Sequence, residues 1–250
     1  MPETLRNQQV RPIQTGTIGS NPRVKLHRLV RIASAARLLG LFAALLGLTG
    51  AGALAADGAV KILAFGDSLT HGYGLAAGQT FPEQLQGALT ARGHAVQVIN
   101  AGNSGDTTAA GLARLDWALA DEPDLVIVEF GANDGLRGID PADTYRNLDA
   151  ILTRLRADGL SVLLTGMLAP RNMGPEYVAA FDAVFPRLAD EQGVAFYPFF
   201  LDGVAADPAL NQPDGIHPNA AGVARIVEGI TPYVEPLVEA IAQERTSADG

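Results

Sequence analysis

Five residues far apart in the chain, Ser68, Gly105, Asn133, Asp214 and His217, are of the types that acyl transfer to a hydroxyl requires. A serine hydroxyl is too weakly acidic to attack a carbonyl unaided and needs a neutral imidazole to take its proton. The imidazole in turn needs a carboxylate that holds its tautomer and stabilises its cation. Asp214 stands three positions before His217 in "DGIHPN", a separation that lets the carboxylate reach the near ring nitrogen while the far one faces Ser68. The oxyanion that develops needs preorganised donors. The N–H groups of Ser68 and Gly105 and the amide of Asn133 are suited to that role.

Each residue also has a plainer reading. Ser68, in "GDSL" after an apolar run, is of the type that caps a helix. Gly105 serves a backbone that needs positive φ, Asn133 and Asp134 suit a turn, and His217 before Pro218 suits an exposed loop. Their joint placement decides between the two sets of readings, and it depends on the elements between them.

From residue 60 onward, apolar runs at 60–65, 95–100, 124–130, 161–167 and 194–199 read as strands. Three of them are almost uninterrupted hydrophobe, as in a parallel sheet covered on both faces. Amphipathic stretches near 81–92, 108–120, 142–157 and 176–191, and one that begins after Pro218 and runs to about 241, read as helices. Pro82, Pro141 and Pro218 stand near helix starts, where a missing N–H costs least. The expectation is a three-layer α/β/α domain. In such sheets ligands bind beyond the carboxyl ends of the strands, which is where "GDSL", "NAGNSGDTT", "GAND" and "PDGIHPN" all fall.

The N-terminal 55 residues differ from the rest. They hold seven of the 18 basic residues and one of the 27 acidic ones, and residues 38–56 carry no charge. A basic region, an apolar run and small residues at Ala53 and Ala55 read as a secretory signal cleaved after Ala55. An uncleaved membrane anchor is the competing reading. Residues 56–250 then form a single exported domain, periplasmic or secreted, with no stable membrane insertion and a net charge of −15. That field repels polyphosphate and argues against nucleic acid as a partner. The absence of cysteine excludes disulfides, a thiolate nucleophile and a Cys-ligated metal. The four histidines are scattered, and neither metal nor cofactor is expected.

The blocks "FGDSLTHGYG", "GNSGDT", "GAND" and "DGIHPN" resemble, in order, the four blocks of the GDSL, or SGNH, hydrolases. The phrases "GDTTAAGLARL" and "NDGLRG" are similar to the bacterial periplasmic branch of multifunctional thioesterases, arylesterases and lysophospholipases. The resemblance spans about residues 60–240. It implies a flavodoxin-like five-stranded parallel sheet of order 2-1-3-4-5 and a carboxylic ester hydrolase that needs no cofactor. It assigns Ser68, Asp214 and His217 to a triad, and Ser68, Gly105 and Asn133 to the oxyanion hole. Thr70, where a GxSxG elbow has its second glycine, disfavours the classical α/β-hydrolase arrangement.

The segments "GLRGID" and "GMLAPRN" follow strands three and four, so Leu136, Ile139, Met167 and Leu168 are candidates for an acyl groove, with local core as the other reading. Asp67 and Asp134 are candidates for orienting their loops. Arg137 reads as a solvated loop residue, His94 as a surface turn, and His71 as a weaker base than His217. The expected substrate is a small acyl ester or thioester. A carbohydrate O-acetyl esterase and a non-enzymatic phosphate-binding protein of the same fold are the alternatives.

Overall fold

The structure, a computed structural model, describes residues 58–248; the expected leader and its expected cleavage site lie outside them. Five strands, β1 (Val60–Gly66), β2 (Val96–Gly102), β3 (Leu125–Glu129), β4 (Ser161–Thr165) and β5 (Ala195–Tyr197), pair in parallel in the order β2-β1-β3-β4-β5. This is the order the resemblance implied. β3 is buried along its whole length and β1 almost so, which accounts for their nearly continuous hydrophobe.

Register sets up the site. Gly66 at the end of β1 lies opposite both Gly102 of β2 and Glu129 of β3. Three strands therefore stop at one level, and the segments that carry Ser68, Gly105 and Asn133 leave the sheet side by side.

The helices are α1 (Ser68–His71), α2 (Phe81–Ala91), α3 (Thr108–Ala113), α4 (Leu115–Ala118), α5 (Ala132–Arg137), α6 (Pro141–Ala157), α7 (Pro175–Asp182), α8 (Val184–Gln192) and α9 (Ala220–Ala248). α2 packs against α9, whereas α6 packs against α3 and α8. Thr80 and Glu83 form a capping box at α2. At α6, Asp140 accepts from Ala142 N while Pro141 opens the first turn.

Three helical spans depart from the sequence expectation. The stretch 108–120 breaks at Arg114, whose guanidinium turns back to Asp106, to the Gly66 carbonyl and over the Phe65 ring. The stretch 176–191 breaks at Ala183, because Pro186 has no N–H for the Asp182 carbonyl four residues earlier. The last helix runs to Ala248 rather than stopping near 241. Its final turns are tied down by Arg245, which donates to the carbonyls of Gly58 and Ala59 and pairs with Asp124.

Candidate active site

Ser68 is not the cap of its helix. That role falls to Asp67, whose Oδ1 accepts from Leu69 N at 3.0 Å. The Ser68 hydroxyl is thereby left free of the backbone, and its Oγ lies 2.9 Å from His217 Nε2. On the other side of the ring, His217 Nδ1 meets Asp214 Oδ2 at 2.7 Å. Asp214 Oδ1 also accepts from the N–H groups of Ile216 and His217. The bond from the His217 ring, with these backbone donors, holds the Asp214 carboxyl down to about 2. Gly215, with φ of 71°, gives the turn that folds the carboxylate back on the ring.

Asn133 lies on α5 and not in a turn. Its Nδ2 donates to Asp67 Oδ2 at 3.1 Å, and its Oδ1 accepts from Arg137 Nη2 at 3.3 Å. The same Arg137 nitrogen donates to the Gly105 carbonyl at 2.9 Å. Arg137, expected to be merely solvated, therefore joins the β2 loop to α5. Gly105 has φ of 88°. Its loop is held by Asp106, which takes Asn103 Nδ2 on one oxygen and Arg114 Nε on the other. Asp134, fully buried, binds Thr108 N and the Thr108 and Thr144 hydroxyls, fastening α5 to α3 and α6. One amide hydrogen of Asn133 is engaged by Asp67, and the second has no partner among the described residues.

Beneath this layer lies a pair of carboxyls. Glu129, fully buried at the end of β3, accepts from Thr70 Oγ1 at 2.8 Å and Asp67 N at 3.4 Å through Oε2, while its Oε1 has no protein partner. Burial, with the Asp67 charge, pushes Glu129 well above the ordinary carboxylate range. Burial likewise pushes Asp67 up to about 6, against the pull of Leu69 N and the Asn133 amide. Gly66 makes room for Glu129: a Cβ on it would lie 2.6 Å from both Glu129 O and Oε2. The sequence reading missed Glu129, although an acid embedded in the apolar run "LVIVEF" was the available signal.

The four groove candidates are not alike. Leu136 and Leu168 are exposed and Ile139 is half-buried, but Met167 is 3% exposed and belongs to the hydrophobic core. His71 is exposed and its Nδ1 faces the Gly102 carbonyl, away from a role as base. His94 is not a free surface residue: it is half-buried, with Nε2 2.8 Å from Glu235 on α9. His94, Glu235 and Glu239 bring potential ligand atoms within 4.8 Å of one another, though Arg92 already pairs with Glu235.

A serine, an imidazole and a carboxylate stand here in hydrogen-bonded series at the carboxyl edge of a parallel sheet, the arrangement that serine-type hydrolases use. Residues 64–225 match the GDSL-like Lipase/Acylhydrolase family. The chain belongs to that family, and with it is a carboxylic ester hydrolase. It is 43% identical over 181 residues to Esterase TesA of Pseudomonas aeruginosa, covering 72% of this chain and 90% of that protein. It is 40% identical over 187 residues to Thioesterase 1/protease 1/lysophospholipase L1 of Escherichia coli K12, covering 74% of this chain and 87% of that one. The solved structure of TesA superposes with a TM-score of 0.68 at 43% identity, over 71% of this chain and 99% of that one.

Proposed function

We propose that the protein cleaves carboxylic esters and thioesters of apolar acyl groups through a covalent acyl-enzyme on Ser68. The observation that carries this reading is the series Ser68 Oγ, His217 and Asp214, joined at 2.9 and 2.7 Å. His217 Nε2 takes the Ser68 proton as Oγ attacks the acyl carbon, and Asp214 stabilises the imidazolium. The oxyanion is met by the N–H groups of Ser68 and Gly105 and by the free Asn133 amide hydrogen. Collapse of this intermediate breaks the bond to the alcohol or thiol, which leaves with the proton from Nε2. A water molecule then repeats the sequence on the acyl-enzyme.

The names of the relatives, esterase and thioesterase, support this substrate class. Exposed Leu136 and Leu168 and half-buried Ile139 are the residues proposed to meet the acyl chain. Export rests on residues 1–55. Among the described residues no helix is long and apolar enough to cross a membrane.

A fluorophosphonate probe tests the assignment. Stoichiometric labelling is expected at Ser68, lost in Ser68→Ala and in protein unfolded before exposure. Folded wild-type protein that resists the probe contradicts it.

A further inference from the structure

The triad and the oxyanion donors leave Tyr73 without a role. Its ring stands against the His217 imidazole, with centroids 4.6 Å apart and planes inclined by 38°. It is nonetheless 52% exposed, so the core gains little from it. Its backbone is pinned on both sides. The Tyr73 N–H donates to the Ser68 carbonyl at 3.1 Å, and its carbonyl accepts from Gln212 Nε2 at 2.7 Å. Gln212 also donates through its own N–H to the His217 carbonyl at 2.7 Å, and through Nε2 to the Pro218 carbonyl. Gly74, at φ of 73°, passes so close to the Gln212 amide that a side chain there would collide with it. The tyrosine ring and the imidazole are thus held in one hydrogen-bonded frame, and the ring keeps an open surface.

Chemistry says what that surface meets. When the intermediate collapses, the atom that leaves must collect a proton from Nε2 and so stands about 3 Å from it. The acyl oxygen is turned the other way, towards the Ser68 N–H and Asn133. A ring tilted against the imidazole therefore borders the alcohol or thiol part of the substrate. Ile216, 45% exposed and next to His217 in the chain, is a second exposed apolar side chain of the loop that carries the imidazole.

We propose that Tyr73 is a specificity-determining residue for the leaving group, favouring esters whose alcohol carries a flat aromatic ring that stacks on its own. The assignment rests on the serine-esterase reading and adds to it the half of the substrate that departs. In the step concerned, the Ser68 Oγ–acyl bond forms and the acyl–alcohol bond breaks, while the proton passes from Oγ through Nε2 to the alkoxide.

Benzyl butyrate and methyl butyrate test this, because they give the same acyl-enzyme and differ only in the alcohol. The ratio of their kcat/KM values reads the one step in which the alcohol is present. Wild type is expected to prefer the benzyl ester. Tyr73→Ala is expected to lower the benzyl-to-methyl ratio about twofold to tenfold, the range an aromatic pair contributes. Tyr73→Phe, which keeps the ring, is expected to retain the ratio. If Tyr73→Ala slows both esters by one factor, the ring only supports the imidazole, and the assignment falls; an unchanged ratio at unchanged rates overturns it equally. Fluorophosphonate labelling of each variant separates the two readings. Wild type that is neither labelled nor active on either ester refutes the serine esterase and this assignment together, whereas labelled protein with an unaltered ratio refutes the latter alone.

Discussion

Asn133 Nδ2 donates to Asp67 Oδ2 across 3.1 Å, joining two residues 66 positions apart in sequence. Asp67 spends its other oxygen on Leu69 N, the cap of the helix that carries Ser68. One carboxylate therefore aligns the proposed nucleophile and the proposed oxyanion donor at once.

Replacing Asn133 by Ala removes that donor and leaves the turn of α5 intact. The expected cost is about 10²–10³ in kcat, as for loss of one oxyanion-hole hydrogen bond. KM should move far less, since the ground-state carbonyl hardly uses the bond. Steady-state kinetics with a parallel thermal midpoint check it; a kcat near wild type with a depressed midpoint removes Asn133 from the site.

Arg137 touches no substrate in this scheme and acts through Gly105 and Asn133. Arg137→Ala should lower kcat about twofold to tenfold, the worth of a net hydrogen bond, and leave the midpoint nearly unmoved because the side chain is exposed. In the Asn133→Ala background the same substitution should cost less, since one of its two partners is gone. Full additivity of the two losses would argue that Arg137 acts elsewhere.

Glu129 and Asp67 are both raised, so the folded protein holds protons that the unfolded chain releases. Their contribution to stability is complete below the ordinary carboxylate range. It is lost as pH rises, for Asp67 through about 6 and for Glu129 higher still. While only the folded state keeps the Glu129 proton, unfolding free energy should fall by up to about 1.4 kcal/mol per pH unit. Glu129→Gln should remove this slope, so its thermal midpoint gains on wild type from pH 5 to pH 8. Parallel midpoint curves would mean that Glu129 ionises freely in the fold.

Gly66 has no room for a methyl group, with Glu129 O and Oε2 each 2.6 Å from where it would stand and the Thr70 hydroxyl closer still. Gly66→Ala should cost about 1–3 kcal/mol of stability by overpacking and displace Ser68 as well. Denaturant unfolding with labelling at Ser68 measures both. Wild-type stability in this variant would show that the backbone at the end of β3 and the Thr70 and Glu129 side chains can give way together.

The sequence made the strands legible because their burial on two faces demanded long apolar runs, and it made the loops legible because Ser68, Gly105, Asn133, Asp214 and His217 follow those runs. Helix breaks were less legible. Arg114 interrupts one for partners 8 and 48 residues away, which no local pattern records, whereas Pro186 was a local signal left unread. Arg137 looked solvated because its exposure is real, and only the fold brings the Gly105 carbonyl to it. His94 followed a helix-ending glycine and so looked like a turn; its partner Glu235 is 141 residues away.

The clamp of Arg245 on Gly58 and Ala59 bears on the order in which the molecule can form. β1, among the first segments synthesised, is an inner strand whose neighbours β2 and β3 come later. The start of β1 is fastened by nearly the last turn of α9. A growing chain thus has its nucleophile early and its imidazole late, and the start of β1 gains its Arg245 bonds only when the last turns of α9 have emerged.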